Sequence, residues 1–138
     1  MTTLYNKVYD RPGHRMDVSL VESGDEYQAV VQFYGKGSMD GVHALIQMLN
    51  EMLSVSPVGV KAKAILDTSQ LDNAPLRSQL ILAKWMLQNR SQVDRIVIVG
   101  AKPMIRRLAS AVLRAARFDQ VQFVRNIDEA AAWIGFRP

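Results

Sequence analysis

The sequence predicts one α/β domain with a mixed, mostly parallel five-stranded sheet and four helices. Three observations predict it: β-rich segments alternate with segments of helical period, a hairpin precedes them, and 138 residues suit one domain. Parallel strands need crossover connections, which the helical segments supply. The hairpin therefore forms an antiparallel edge of the sheet.

The first third of the chain predicts the hairpin and one helix. Residues 16–22 and 27–34 are rich in β-formers and flank a four-residue turn. Ser38 or Asp40 caps a helix with a 3.6-residue apolar period. Residues 1–15 show no comparable pattern, so no element is predicted for them.

Three strand and helix pairs follow in the rest of the chain. The predicted strands cover 62–66, 94–99 and 120–124, and the predicted helices cover about 75–90, 103–117 and 126–134. Pro75 and Pro103 suit the first turn of a helix, and Asn126 suits an N-cap. The central strands place four residues in the predicted core: Ile65, Ile96, Ile98 and Val99.

The composition excludes several classes of function. The absence of cysteine excludes disulfides, thiolate nucleophiles and cysteine metal sites. His14 and His43 belong to no metal or triad pattern and are predicted to be exposed to solvent. Without a nucleotide-binding glycine motif, no cofactor is predicted. Because no run approaches the roughly 18 apolar residues of a membrane span, a cytoplasmic protein is expected.

Three short motifs carry a family resemblance. Residues 64–69 (AILDTS) resemble a strand ending in I-L-D-x-S, and residues 97–100 (VIVG) precede a helix as the corresponding strand does. Residues 123–134 resemble a closing strand followed by D-E-A-x-x-W-L. This order is similar to the STAS domain of sulfate transporters and anti-sigma-factor antagonists, in its SpoIIAA-like (STAS/SEC14) branch. The resemblance covers residues 16–134 and implies a STAS-like fold and a regulatory role without catalysis.

One feature of the resembling family is missing. Its antagonists carry a phosphorylated serine in the turn after the I-L-D-x-S strand, where residues 71–76 read LDNAPL. Ser69 and Ser78 lie nearby and remain alternative acceptors. Phosphorylation at that turn is therefore not predicted.

A ligand or anion site is predicted where two strands end. Asp67, Thr68 and Ser69 end one strand, at the edge where open α/β sheets bind ligands. Lys102 lies between the next strand and a helix N-terminus, a position suited to an anion. The alternative is that Asp67 bonds the following loop and that Lys102 lies in an ordinary turn. An enzyme that uses Asp67 is the least favoured function.

The third helix carries a basic face opposite its apolar side. This face consists of Arg106, Arg107, Arg114 and Arg117. It is either a solvated surface or a site for an acidic partner, lipid headgroups or nucleic acid. No aromatic platform accompanies the arginines, so sequence-specific nucleic-acid binding is not predicted.

The second helix is apolar on more than one side. Its predicted core stripe consists of Leu76, Leu80, Ala83 and Leu87. A second apolar surface consists of Ile81, Leu82, Trp85 and Met86. Either this surface forms a protein interface, or helix one or the N-terminal segment covers it.

Two functions outside catalysis follow from these patterns. The leading one is a protein-interaction module that forms a homodimer, or binds another protein, through helix 75–90. The alternative is a domain that binds a small apolar ligand or lipid in a pocket lined by Met48, Met52, Leu82 and Met86.

Overall fold

The computed structural model describes residues 1–57, 59–115 and 117–134, with the side chain of residue 108 also outside the description. The strands are β1 Thr2–Arg11, β2 His14–Ser23, β3 Glu26–Lys36, β4 Ala62–Asn73, β5 Val93–Val99 and β6 Val121–Val124. The helices are α1 Met39–Val55, α2 Leu76–Gln88, α3 Pro103–Ala115 and α4 Ile127–Ile134, with a 3-10 turn at Arg90–Gln92.

The six strands form one mixed sheet in chain order. β1, β2 and β3 pair antiparallel, whereas β3 to β6 pair parallel. Each parallel step is joined by one of the helices α1, α2 and α3. This arrangement confirms the predicted α/β class, with its antiparallel edge and mostly parallel remainder, and adds a sixth strand.

Successive side chains of the strands point to opposite faces of the sheet and build two cores. On one face, α1, α2 and α3 cover Val18, Val31, Leu66 and other residues of the larger core. On the other face, α4 covers a smaller core of Ile65, Val97, Val99, Ala130 and Ile134. The four residues predicted for the core, Ile65, Ile96, Ile98 and Val99, are all buried.

The sixth strand is β1, in the segment for which no element was predicted. It pairs along β2 across a two-residue loop of Pro12 and Gly13, with Arg11 opposite His14. Gly13 has a φ of 82°, which glycine adopts at no steric cost. Only a few side chains of this edge strand are even partly buried, so its sequence lacks the apolar alternation of an inner strand.

The strand β4 is longer than predicted and ends at Asn73 instead of Leu66. Its second half pairs with the end of β3, where Gly35 lies opposite Leu71. Asp67, Thr68 and Ser69 were expected to end the strand, but the strand continues through them, and its ladder with β3 shifts register near them. The strand thus extends beyond the end of its neighbour β5, whose last paired residue is Val99.

The helix starts follow the predicted capping. The Ser38 side chain accepts a hydrogen bond from the Gly41 N–H at 2.9 Å, and α1 follows it. Asn126 accepts from the Glu129 N–H at 2.9 Å and caps α4 in the same way. α3 ends at Ala115 in the described residues, and residue 116, within its predicted range, lies outside them. Among the described residues, no helix has the length and apolarity to cross a bilayer.

Candidate functional site

An apolar cavity of about 110 Å³ lies between the sheet and the helices α1, α2 and α3. It is placed at the carboxyl ends of the parallel strands, since Gly37 and Ala74, which follow β3 and β4, both line it. This is the edge where open α/β sheets hold ligands. Its apolar lining includes Met16, Phe33, Leu66, Leu82, Met86 and Phe123.

The predicted methionine-rich pocket is reproduced in part by this cavity. Leu82 and Met86 line it, as the ligand-binding alternative expected. Met48 and Met52 are buried in the larger core but are not among the described lining residues. The cavity therefore lies nearer to α2 and α3 than the sequence predicted.

His14 lines the cavity and is buried, with 8% of its surface exposed. The prediction that it is exposed to solvent was wrong, whereas His43 is exposed as predicted. The His14 Nδ1 lies 2.9 Å from the Tyr34 carbonyl oxygen, so that nitrogen carries the hydrogen. Its ring lies against the first turn of α1, because a Cβ at Gly41 would approach the ring within 2.8 Å. The sequence contains a signal for this burial: His14, Met16, Val18 and Leu20 alternate along β2.

The orientation of α2 differs from the predicted one. Trp85 and Met86 are buried within the chain, and the Trp85 Nε1–H donates to the Asn50 Oδ1 of α1 at 2.8 Å. Of the predicted core stripe, Leu76 and Leu80 are 48% and 44% exposed, whereas Ala83 is buried and Leu87 is partly buried.

The chain itself therefore buries half of the surface predicted as an interface, and α1 contacts Trp85 within it. Of its four residues, Trp85 and Met86 are not exposed, and Ile81 and Leu82 are partly buried. The stripe of α2 that faces the sheet and α1 begins at the buried Ser78. Because serine is small and polar, the apolar pattern of this stripe is hard to recognise in the sequence. The surface of α2 available to a partner is the one that bears Leu76 and Leu80.

The residues of the predicted anion site each contact a different group of the chain. Thr68 lines the cavity, and its hydroxyl donates to the Val99 carbonyl at 2.8 Å. The Asp67 Oδ1 accepts from both the N–H and the hydroxyl of Ser69, at 3.0 and 2.6 Å. Lys102 contacts Asp72, with its Nζ 3.6 Å from a carboxylate oxygen.

Local bonds of this kind are the alternative that the sequence analysis left open for Asp67. The Asp67 carboxylate accepts from Ser69, two residues ahead in its own chain, and the half-exposed Lys102 lies 3.6 Å from the Asp72 carboxylate. Of the two serines considered as phosphate acceptors, Ser78 is buried and Ser69 is exposed. Within the described residues, no group of three or more histidine and acidic side chains could hold a metal ion.

Three of the predicted basic-face residues lie together on α3. Arg106, Arg107 and Arg114 are exposed and line a shallow groove on its outer surface. Arg117 lies beyond the helix, where its carbonyl accepts a hydrogen bond from Arg90 at 3.1 Å. The basic face is therefore centred on α3, with Arg117 at its border.

No protein-family model and no curated protein matches the sequence. Solved structures do match. An uncharacterized protein from the DUF3478 family with a SpoIIAA-like fold, from Shewanella loihica, has a TM-score of 0.67 at 16% identity, covering 91% of this chain and 98% of that one.

Two further neighbours are antagonists of anti-sigma factors. One, from Mycobacterium paratuberculosis, has a TM-score of 0.58 at 16% identity and covers 87% of this chain and 94% of its own. The other is the anti-sigma factor antagonist SpoIIAA in its unphosphorylated form, with a TM-score of 0.60 at 11% identity and coverage of 88% and 99%. The chain thus has the SpoIIAA-like fold that the STAS resemblance implied. At these identities the similarity concerns the fold.

Proposed function

We propose that this domain is a non-catalytic regulatory module that binds an acidic protein partner through the outer surfaces of α2 and α3. The observation that carries the proposal is an exposed apolar patch among basic residues on these two helices. The fold supports it, since two neighbours are anti-sigma factor antagonists, proteins named for their action on another protein.

The apolar patch consists of Leu76, Leu80 and Met104, which are 48%, 44% and 73% exposed. Leu76 and Leu80 are one helical turn apart and therefore adjacent on α2. Met104 lies in the first turn of α3, and both helices begin at the carboxyl edge of the sheet. α2 and α3 contact each other, so these exposed apolar side chains lie on neighbouring helices, and together they would suit an interaction surface.

The charges around the patch indicate the chemistry of the partner. α2 contributes Arg77 and Lys84, α3 contributes Arg106, Arg107 and Arg114, and neither helix contains an aspartate or glutamate. A second copy of this chain would bring the same positive charges to the contact, whereas an acidic protein would complement them. These charges therefore favour a different protein over the homodimer predicted from the sequence.

The experiment is site-specific photo-crosslinking in cells, with the photoreactive residue at position 80, 104 or 55. Val55 is a matched control because it is 47% exposed and lies at the far end of α1. The same crosslinked protein is expected from positions 80 and 104 but not from 55. Charge reversal by Arg107→Glu and Arg114→Glu should abolish that crosslink.

Three outcomes would overturn this proposal. Crosslinks of equal yield at positions 80 and 55 would mean that the patch is not the contact. A crosslink unaffected by charge reversal would refute an acidic partner. A crosslinked product of twice the chain mass, with a dimer in light scattering, would assign the patch to self-association.

A second candidate function is the binding of a small apolar ligand, which the cavity described above favours. Apolar side chains dominate its described lining, leucine most often, and polar groups are fewer. Ligand sites are commonly concave and apolar in this way. Titration of the purified chain with toluene, followed by the methyl signals of Met16 and Met86, tests this function.

A further inference from the structure

The volume of the cavity limits the size of a ligand. Its volume of about 110 Å³ is roughly four times the 30 Å³ that one water molecule occupies in the liquid. It is smaller than the roughly 150 Å³ of an apolar cavity that binds benzene. A benzene ring would therefore fill the cavity alone, whereas a short alkyl chain leaves room for one polar group.

The charges of the lining limit the ligand further. None of the described lining residues is an aspartate, glutamate, lysine or arginine. A charged group placed there would lose its hydration without gaining a counter-ion. The ligand that fits is therefore uncharged.

The His14 ring is held in one orientation at this cavity. Its Nδ1–H donates to the Tyr34 carbonyl oxygen at 2.9 Å, and the Tyr9 ring packs edge-on against it with the ring centroids 5.9 Å apart. Because the Nδ1 carries the hydrogen, the Nε2 of the ring is a hydrogen-bond acceptor. This acceptor is therefore in position before a ligand enters.

The His14 Nε2 is unpaired but accessible. Within the described part of the chain it has no hydrogen-bond partner, yet it is not fully buried as the Gln79 Oε1 is. It lies on the side of the ring toward α1, since a Cβ added at Gly41 would approach it to 2.8 Å. Gly37 and Ser38, directly before α1, line the cavity together with His14. A ligand at this end of the cavity can therefore place a donor on the Nε2.

The other polar side chains of the described lining differ from His14. The Thr68 hydroxyl donates to a backbone carbonyl of β5, and the Ser38 hydroxyl caps α1. The Ser78 hydroxyl donates to the Ser38 carbonyl at 3.4 Å. The Gln79 Oε1 has no partner, but it is too deeply buried for a ligand to touch. Of the described lining side chains, His14 thus holds the accessible acceptor that lacks a donor.

We propose that this cavity binds a short uncharged alcohol, such as 1-butanol, whose hydroxyl donates to the His14 Nε2. The alkyl chain would lie among the apolar side chains of the lining. The hydroxyl would satisfy an acceptor that the largely apolar surroundings leave without a partner. The proposal rests on the ligand-binding function named above and specifies its chemistry.

The experiment compares 1-butanol, methyl propyl ether and butylammonium by NMR titration of the full chain with labelled methionine methyl groups. 1-Butanol should shift the signals of Met16 and Met86, which line the cavity, and leave that of the exposed Met104 unchanged. Methyl propyl ether is an isomer of 1-butanol without the donor and should bind roughly tenfold more weakly. Butylammonium, which is charged at neutral pH, should not bind.

The ring nitrogens of His14 report the contact directly. Long-range proton–nitrogen NMR of the histidine rings should show the hydrogen of His14 on the Nδ1, and 1-butanol should shift the Nε2 resonance. The ether should leave that resonance unchanged, because it has no hydrogen to donate. His43 is the internal control, since it is exposed and is not among the described lining residues.

A pair of variants tests the same contact by affinity. His14→Phe keeps an aromatic ring but removes the acceptor, so it should weaken 1-butanol binding roughly tenfold and leave ether binding unchanged. His43→Phe makes the same change at an exposed position of α1 and should leave both affinities unchanged. Thermal unfolding verifies that each variant is folded. If His14→Phe does not fold, the Nε2 resonance of the wild type decides the question.

The failures are distinguishable. If 1-butanol and the ether bind equally and the Nε2 resonance of His14 does not move, the donor contact is wrong, but the ligand-binding function stands. If toluene shifts Met16 and Met86 but 1-butanol does not, the alcohol class is wrong. If none of these compounds shifts either methionine, both proposals fail. Binding of butylammonium as strong as that of 1-butanol would refute the uncharged class.

Discussion

Trp85 of α2 and Asn50 of α1 are joined by a hydrogen bond of 2.8 Å from the indole nitrogen to the amide oxygen. Buried tryptophans usually find such a partner, because the ring is apolar and its N–H is not. This bond, together with the burial of Trp85 and Met86, fixes the rotation of α2 about its axis. The same rotation exposes Leu76 and Leu80.

The first prediction concerns the stability that Trp85 contributes. Trp85→Ala should lower the free energy of unfolding by about 3–5 kcal/mol, because it leaves a cavity between α1 and α2. Leu80→Ala, on the exposed side of the same helix, should change it by about 0.5 kcal/mol or less. Urea unfolding followed by circular dichroism measures both. A stable Trp85→Ala variant that has lost a dimer would show that Trp85 is covered by a partner instead.

The sequence predicted correctly those parts of the fold for which a single local sequence pattern is unambiguous. The buried strand β5 and the caps Ser38 and Asn126 follow from apolar runs and from polar residues directly before a helix. Helix register is harder to predict when apolar residues surround the helix. α2 has two candidate buried stripes, one that contains Leu76 and Leu80 and one that begins at Ser78. Only the packing against α1 determines which of them is buried.

The candidate site was predicted less well, for a related reason. A cavity arises from the spacing between elements, and no local pattern encodes that spacing. The residues Leu82 and Met86 were identified by composition, but His14 and Gln79 were not. His14 directly follows the Pro12-Gly13 loop, yet the alternation of buried residues along β2 extends to it. Gln79 lies on α2, and no sequence pattern distinguishes it from the exposed Gln88 of the same helix.

The second prediction tests the central strand. Ile98→Ala should destabilise the chain by about 2–5 kcal/mol, because Ile98 is buried on β5 beneath the helices. The substitution also enlarges the cavity that Ile98 lines, so toluene should stabilise this variant more than the wild type. Thermal unfolding with and without toluene measures both effects. Val55→Ala, at an exposed apolar position, serves as the control.

The third prediction concerns the basic face of α3. Arg106, Arg107 and Arg114 should give weak binding to DNA and RNA of any sequence, and added salt should abolish it, because such contacts release counterions. Fluorescence anisotropy with two unrelated oligonucleotides over a series of salt concentrations measures this. A preference for one sequence that persists at physiological salt would contradict it.

The fourth prediction concerns Tyr5 and Glu51, which connect β1 to α1. The Tyr5 hydroxyl donates to the Glu51 Oε1 at 3.2 Å, and burial together with that carboxylate raises the pKa of Tyr5 from 10.0 to about 12. A raised pKa stabilises the folded state below pH 10, and this contribution is lost as the pH rises through about 12. Wild-type stability should therefore fall more steeply than that of Tyr5→Phe over this range. Urea unfolding at each pH measures the difference, and the ultraviolet absorbance of tyrosinate follows the titration. Glu51→Gln should bring the pKa of Tyr5 back toward 10.0, whereas parallel stability curves for wild type and Tyr5→Phe would show that Tyr5 titrates as an ordinary tyrosine.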